Sequence, residues 1–173
     1  MKTFAGEYAR YRLSAEKAFA QVSDDGLNQV LAPDGNSIAM LVRHISGNFV
    51  SRFTDFLAAD GEKPDRNRDD EFADAAYSRA QMDAAWARGW SALDDALAQV
   101  DDAQLSQTIT IRGQPLTVAE ALCRSLAHVA MHVGQIILIA RILAGGDWKW
   151  ITIPKGQSAQ YNRDPSLERR PSR

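Results

Sequence analysis

The chain has one cysteine, Cys123, among 173 residues, and that scarcity removes two classes of architecture. No intrachain disulfide can form, and no cluster of thiolates can hold a metal. Flanked by Leu122 and close to Leu126 in a helical pattern, Cys123 is expected to be a small core filler rather than a nucleophile. An excess of one charge is missing too. Twenty basic residues stand against 22 acidic ones, for a formal net charge of −2, which argues against a partner recruited mainly by electrostatics, such as nucleic acid or an anionic membrane. The sequence holds no glycine-rich phosphate loop, dinucleotide fingerprint or internal repeat. Its longest apolar run, Val133 to Leu143, contains Gln135 and Arg141 and falls short of the roughly 18–20 residues of a membrane span. The first residues, Met-Lys-Thr-Phe-Ala-Gly-Glu-Tyr, carry no secretory apolar core. The expected compartment is the cytoplasm.

What the chain does have is helical period. The first segment runs from about Thr3 to Val22, with Phe4, Tyr8, Tyr11, Ala15, Ala18 and Val22 on one stripe before Ser23-Asp24-Asp25-Gly26 breaks it. The second begins near Asn36 or Ser37, carries Ile38, Leu41, Ile45, Phe49, Phe53 and Phe56, and is expected to stop at Gly61. The third opens on a capping box, Ser78 with Gln81, and buries Met82, Trp86, Trp90, Leu93 and Leu97. The fourth opens on Thr117 with Glu120 and continues to Leu143, where Gly145-Gly146 ends it. Trp86 and Trp90 sit at core spacing, so packing rather than substrate stacking is their expected role.

The connections are as informative. Glu62 to Tyr77 is charged and too long for a tight antiparallel turn, so it reads as a crossover. Within it Asp69-Asp70-Glu71 lacks the spaced oxygens and central glycine of a calcium loop and is expected to be solvated. Thr108-Ile109-Thr110-Ile111 alternates by twos before Arg112-Gly113-Gln114, the pattern of a small β-hairpin. After the fourth helix, Asp147 to Pro154 looks extended and apolar and is expected to pack across the helices. The expectation is an all-α fold: an up-down-down-up four-helix bundle with a crossover between helices two and three and a hairpin before helix four. Residues 1–160 form its single domain, and 161–173 a flexible tail with too little apolar content to fold.

The three histidines of the chain are His44, His128 and His132. A helix turns about 100° per residue, so His128 and His132 project within roughly 40° of each other, about one turn apart. A His-x-x-x-His pair on a helix is common without a metal. The polar company on its face, Ser125 and Gln135, needs partners in an otherwise apolar helix. On the second helix Asn48, Ser51 and Asp55 follow His44 at helical spacing, which suggests one shared polar cavity. Three neutral imidazoles and a water would make the open coordination sphere of a catalytic divalent metal. Asn48 and Gln135 are candidates for positioning a substrate or bound water, with orientation of the imidazoles the favoured alternative. Arg124 is a candidate for binding a carboxylate of a cofactor, against an ordinary ion pair with Asp55 or Glu120.

The sequence His128-Val-Ala-Met-His132-Val-Gly-Gln135, together with His44 in Arg-His-Ile-Ser-Gly-Asn, resembles the DinB/YfiT-like family. Asn36-Ser37-Ile38 to His44 and Asp60 to Asp69 resemble an uncharacterised bacterial branch of it. The resemblance implies a four-helix bundle with a zinc or nickel ion on His44, His128 and His132, and it implies a homodimer, for which the Trp148 to Ile153 strip offers an apolar surface. It also implies a metal-dependent transferase or isomerase that uses a low-molecular-weight thiol on small electrophilic substrates. The alternative is a non-catalytic, metal-stabilised module binding a small ligand or partner in stress response. An open three-histidine site leans toward the enzyme, and a site closed by a fourth ligand would favour the module.

Overall fold

Three of the four long helices start where a side chain replaces the partner their first amide groups lack. In the computed structural model, which describes residues 1–169, the hydroxyl of Ser37 accepts from Met40 N, that of Ser78 from Gln81 N and that of Thr117 from Glu120 N. The described residues are mostly helical, with α1 (Lys2–Phe19), the short α2 (Asp24–Leu27), α3 (Ile38–Phe53), α4 (Arg79–Gln99), α5 (Val118–Ala144) and the single turn α6 (Ser158–Tyr161). One antiparallel hairpin, β1 (Thr108–Ile111) and β2 (Gln114–Thr117), pairs Thr108 with Thr117 and Ile111 with Gln114. Its turn residues Arg112 and Gly113 both have positive φ, 56° and 69°, the twist that closes a two-residue hairpin.

The helices meet along apolar stripes. α3 packs most extensively on α4, α1 on α5, and α3 more narrowly on α5. Tyr8, Phe49, Phe53 and Trp90 form an edge-to-face cluster at this junction, with ring centroids 4.9–6.5 Å apart. The buried Tyr8 hydroxyl donates to Leu122 O at 3.0 Å. Met82, Trp86, Leu93 and Leu97 are buried with Trp90, as their spacing predicts. Gly89 lets α4 approach α3 closely, since a Cβ there would lie 2.6 Å from Ser46 Cα.

Several expectations need correction. The second long helix ends at Phe53, not Gly61, because Asp55 takes the left-handed conformation (φ 50°) and turns the chain away. Gly61 instead donates to Thr110 O at 2.9 Å, fastening the crossover to the hairpin. Cys123 is exposed: α5 buries Val118, Ala121, Leu122 and Val129 on its inner face, and position 123, a further 100° round from Leu122, falls outside that stripe. α5 is also long and apolar enough to cross a membrane by length and composition alone, contrary to the expectation that no segment would be. The Trp148 to Ile153 arm forms no strand. Trp148 and Ile151 rest against the core, while Lys149 N donates to Gln21 Oε1 at 2.6 Å. Beyond it, Arg10 donates to Glu168 O, and Tyr161 Oη to Glu168 Oε2. Residues 170–173 of the expected tail lie outside the described residues.

Candidate metal centre

α3 and α5 cross so that His44, His128 and His132 face one another. His44 Nε2 lies 3.0 Å from His128 Nε2, which lies 3.1 Å from His132 Nε2, and one ligand nitrogen from each ring falls within 4.8 Å of the others. His44 and His132 are buried and His128 is half-buried.

The far nitrogens decide which protons these rings carry. His44 Nδ1 donates to Glu71 Oε2 at 2.8 Å, and His132 Nδ1 donates to Gln135 Oε1 at 2.7 Å. In the neutral form each of these rings turns an unprotonated Nε2 lone pair toward the centre. Burial, and after it repulsion from His132, His44, Arg66 and Arg52, lowers the pKa of His128 to about 3. Burial also lowers His132, although Gln135 opposes the shift. Burial thus favours the neutral, electron-pair-donating form of His128 and His132.

This donor set fits a divalent cation. His128 Nδ1 is buried and unpartnered, so a proton on that atom would have no acceptor. A proton on its Nε2 could satisfy just one of the two facing lone pairs. A cation at the centre relieves both conflicts. Nitrogens held about 2.05 Å from a tetrahedral zinc stand about 3.3 Å apart, and the observed 3.0 and 3.1 Å spacings need only a few tenths of an ångström of opening.

Glu71 was not legible as part of this site. The expected solvated run Asp69-Asp70-Glu71 is solvated at its two aspartates, but the short turn Asp69–Phe72 carries Glu71 inward until it is 8% exposed. Arg66 grips it through two bonds of 2.9 Å, Nε to Oε1 and Nη2 to Oε2. Burial alone would raise the Glu71 pKa, but the bonds from His44 and Arg66 outweigh it and hold the carboxyl below its usual range. Gly47 provides the room, because a Cβ there would sit 2.2 Å from Glu71 Oε1. That glycine inside a helical pattern is the one sequence signal that something approaches α3 closely on this face.

A cleft of about 410 Å³ opens beside the imidazoles. His44, His128, Asn48 and Ser125 line its inner end, Phe53, Phe56, Ile111 and Leu116 give it apolar walls, and Arg124 is on its rim. Asn48 and Arg124 thus stand at the cleft, whereas Gln135 is beside His132 and does not line it. The shared polar cavity is smaller than expected from spacing. Ser51 donates to Gly61 O at 3.0 Å and pins the crossover, and Asp55 is exposed on another surface. Glu120, one expected partner of Arg124, caps α5 through Thr117 N at 2.7 Å.

A family model described as "Protein of unknown function (DUF1572)" matches residues 1–157. No curated protein and no solved structure matches the chain.

Proposed function

Because the chain belongs to the DUF1572 family, whose description assigns no activity, we propose its function from the site: a divalent-metal centre on His44, His128 and His132 that serves a small-molecule enzyme. The observation that carries this reading is the convergence of three Nε2 atoms at 3.0 and 3.1 Å while the opposite nitrogens of His44 and His132 are committed to Glu71 and Gln135. Such outer partners fix the tautomer and raise the basicity of a ligating imidazole. The adjoining cleft supports catalysis over a closed structural site.

The finer reading is a DinB/YfiT-like, up-down-down-up four-helix bundle using zinc or nickel and a low-molecular-weight thiol, as a transferase or isomerase. A bound divalent ion would supply acidification of a coordinated thiol or water near neutral pH. The chain's own residues do the rest. Glu71 and Gln135 hold two rings in the donating tautomer, Arg66 holds Glu71, and Phe53 and Phe56 wall the cleft against bulk water. Asn48, which lines the cleft together with His44, would orient a substrate group. The same reading carries a homodimer, which light scattering on the purified chain would test.

Elemental analysis of the purified chain tests the centre. About one zinc or nickel ion per chain is expected, lost in His128→Ala and His132→Ala. Absence of metal after growth and reconstitution in either ion refutes it. Turnover of a thiol–electrophile pair by the loaded protein, abolished in His128→Ala, tests the chemistry separately.

A further inference from the structure

The cleft's charge is out of keeping with the chain's. The whole protein has a formal net charge of −2, yet among the described residues five arginines line this cleft, Arg52, Arg66, Arg68, Arg112 and Arg124, and no carboxylate does. Three of them share two carboxylates, Glu62 and Glu71. Glu62 Oε2 takes Arg52 at 2.7 Å and Arg112 at 3.2 Å, with Arg66 at 3.6 Å, and Arg66 also holds Glu71. Arg68 and Arg124 have no carboxylate partner among the described residues. The Arg68 guanidinium lies 5.0 Å over the Phe72 ring, a contact that leaves its N–H fork available. Ser125 also lines the cleft, with its hydroxyl turned toward that of Tyr8.

We propose that the cleft binds a small organic molecule carrying two oxyanion groups, carboxylate or phosphate, held by Arg68 and Arg124. Guanidinium forks match the planar oxygen pairs of carboxylates and the faces of phosphates. The walls formed by Phe53, Phe56, Ile111 and Leu116 then cover the hydrocarbon between the charges, which an inorganic anion lacks. The inference deepens the enzymatic reading of the same site by naming its substrate or cofactor class, and rests on it for which end reacts. Anion binding itself needs only the arginines.

The test is calorimetric titration of the full chain, chelator-stripped and metal-loaded, with succinate, inorganic phosphate and the neutral isostere succinamide at low salt. Succinate is expected to bind both forms and succinamide neither. Arg68→Gln and Arg124→Gln should each weaken succinate binding about tenfold or more. Both positions are exposed, so these variants are expected to fold, and succinate-induced amide shifts at Ser125 in the wild-type chain give a readout that needs no variant. Phosphate bound more tightly than succinate, with the same dependence on both arginines, supports the oxyanion site and makes a phosphoryl group the source. Equal binding of succinamide, undiminished binding in both variants, or no binding of either anion overturns the proposal. A stripped chain that binds succinate but never takes up metal would refute the metal centre and leave the anion site standing.

Discussion

Replacing Gly47 by alanine removes no polar group, yet it should dismantle the support of one imidazole. The new Cβ would lie 2.2 Å from Glu71 Oε1 and 2.9 Å from its Cδ, a separation no pair of atoms tolerates. The obstacle is the far end of a side chain on a short surface turn, so the carboxylate swings out while α3 stays in place. His44 Nδ1 then loses its 2.8 Å acceptor and Arg66 its paired bonds. Loss of such an outer partner typically costs 10–100-fold in metal affinity, about 1.4–2.7 kcal/mol. Stability falls for a separate reason. Arg66 and Glu71 are 5% and 10% exposed at their side chains, and breaking a buried pair costs about 3–5 kcal/mol, against which alanine returns about 0.5–1 kcal/mol of helix propensity. The net expectation is a loss of about 2–4.5 kcal/mol in the metal-free chain. Competition with a chromophoric chelator measures the first effect and urea unfolding the second, with far-UV circular dichroism to check that the helices persist. Wild-type metal affinity in a folded Gly47→Ala chain would refute the role given to Glu71.

Gly89→Ala places a Cβ 2.6 Å from Ser46 Cα, where backbone must move, so α3 and α4 should part at a cost of about 1–3 kcal/mol or more, read as a lower urea midpoint. Asp60 accepts from Glu62 N at 2.7 Å and from Arg112 N and Gly113 N at 2.8 Å, and these amide bonds hold its carboxyl well below the usual range. A depressed folded pKa contributes stability above the unfolded value and loses it as pH falls toward the folded one. The gap in urea midpoint between wild type and Asp60→Ala should therefore be constant near neutrality and narrow below about pH 4; a gap that widens on acidification would contradict the assignment.

The helices were legible because their signals are local. Ser78 with Gln81 and Thr117 with Glu120 mark starts that need no tertiary knowledge, and the trio of histidines follows from spacing on one helix plus one residue on another. Glu71 was hidden for the opposite reason. Its role depends on how a 16-residue connection folds back over α3, which no periodicity encodes, and its neighbours Asp69 and Asp70 behave as the solvated residues they resemble. Cys123 and Asp55 were misplaced by small angular errors. Cys123 sits about 100° past a buried leucine, and at Asp55 the helix had already ended, so helical spacing no longer applied.

The carboxylate of Glu62 joins parts of the chain that are usually discussed apart. Through it the hairpin turn (Arg112), the end of α3 (Arg52) and the crossover (Arg66) share one anchor, and from Arg66 the contacts continue through Glu71 to the ring of His44. The outer lip of the cleft and the tilt of an imidazole at its floor are therefore set by a single ionic scaffold. The hairpin turn, far from the histidines along the chain, is thus joined by a run of ion pairs to the frame of His44.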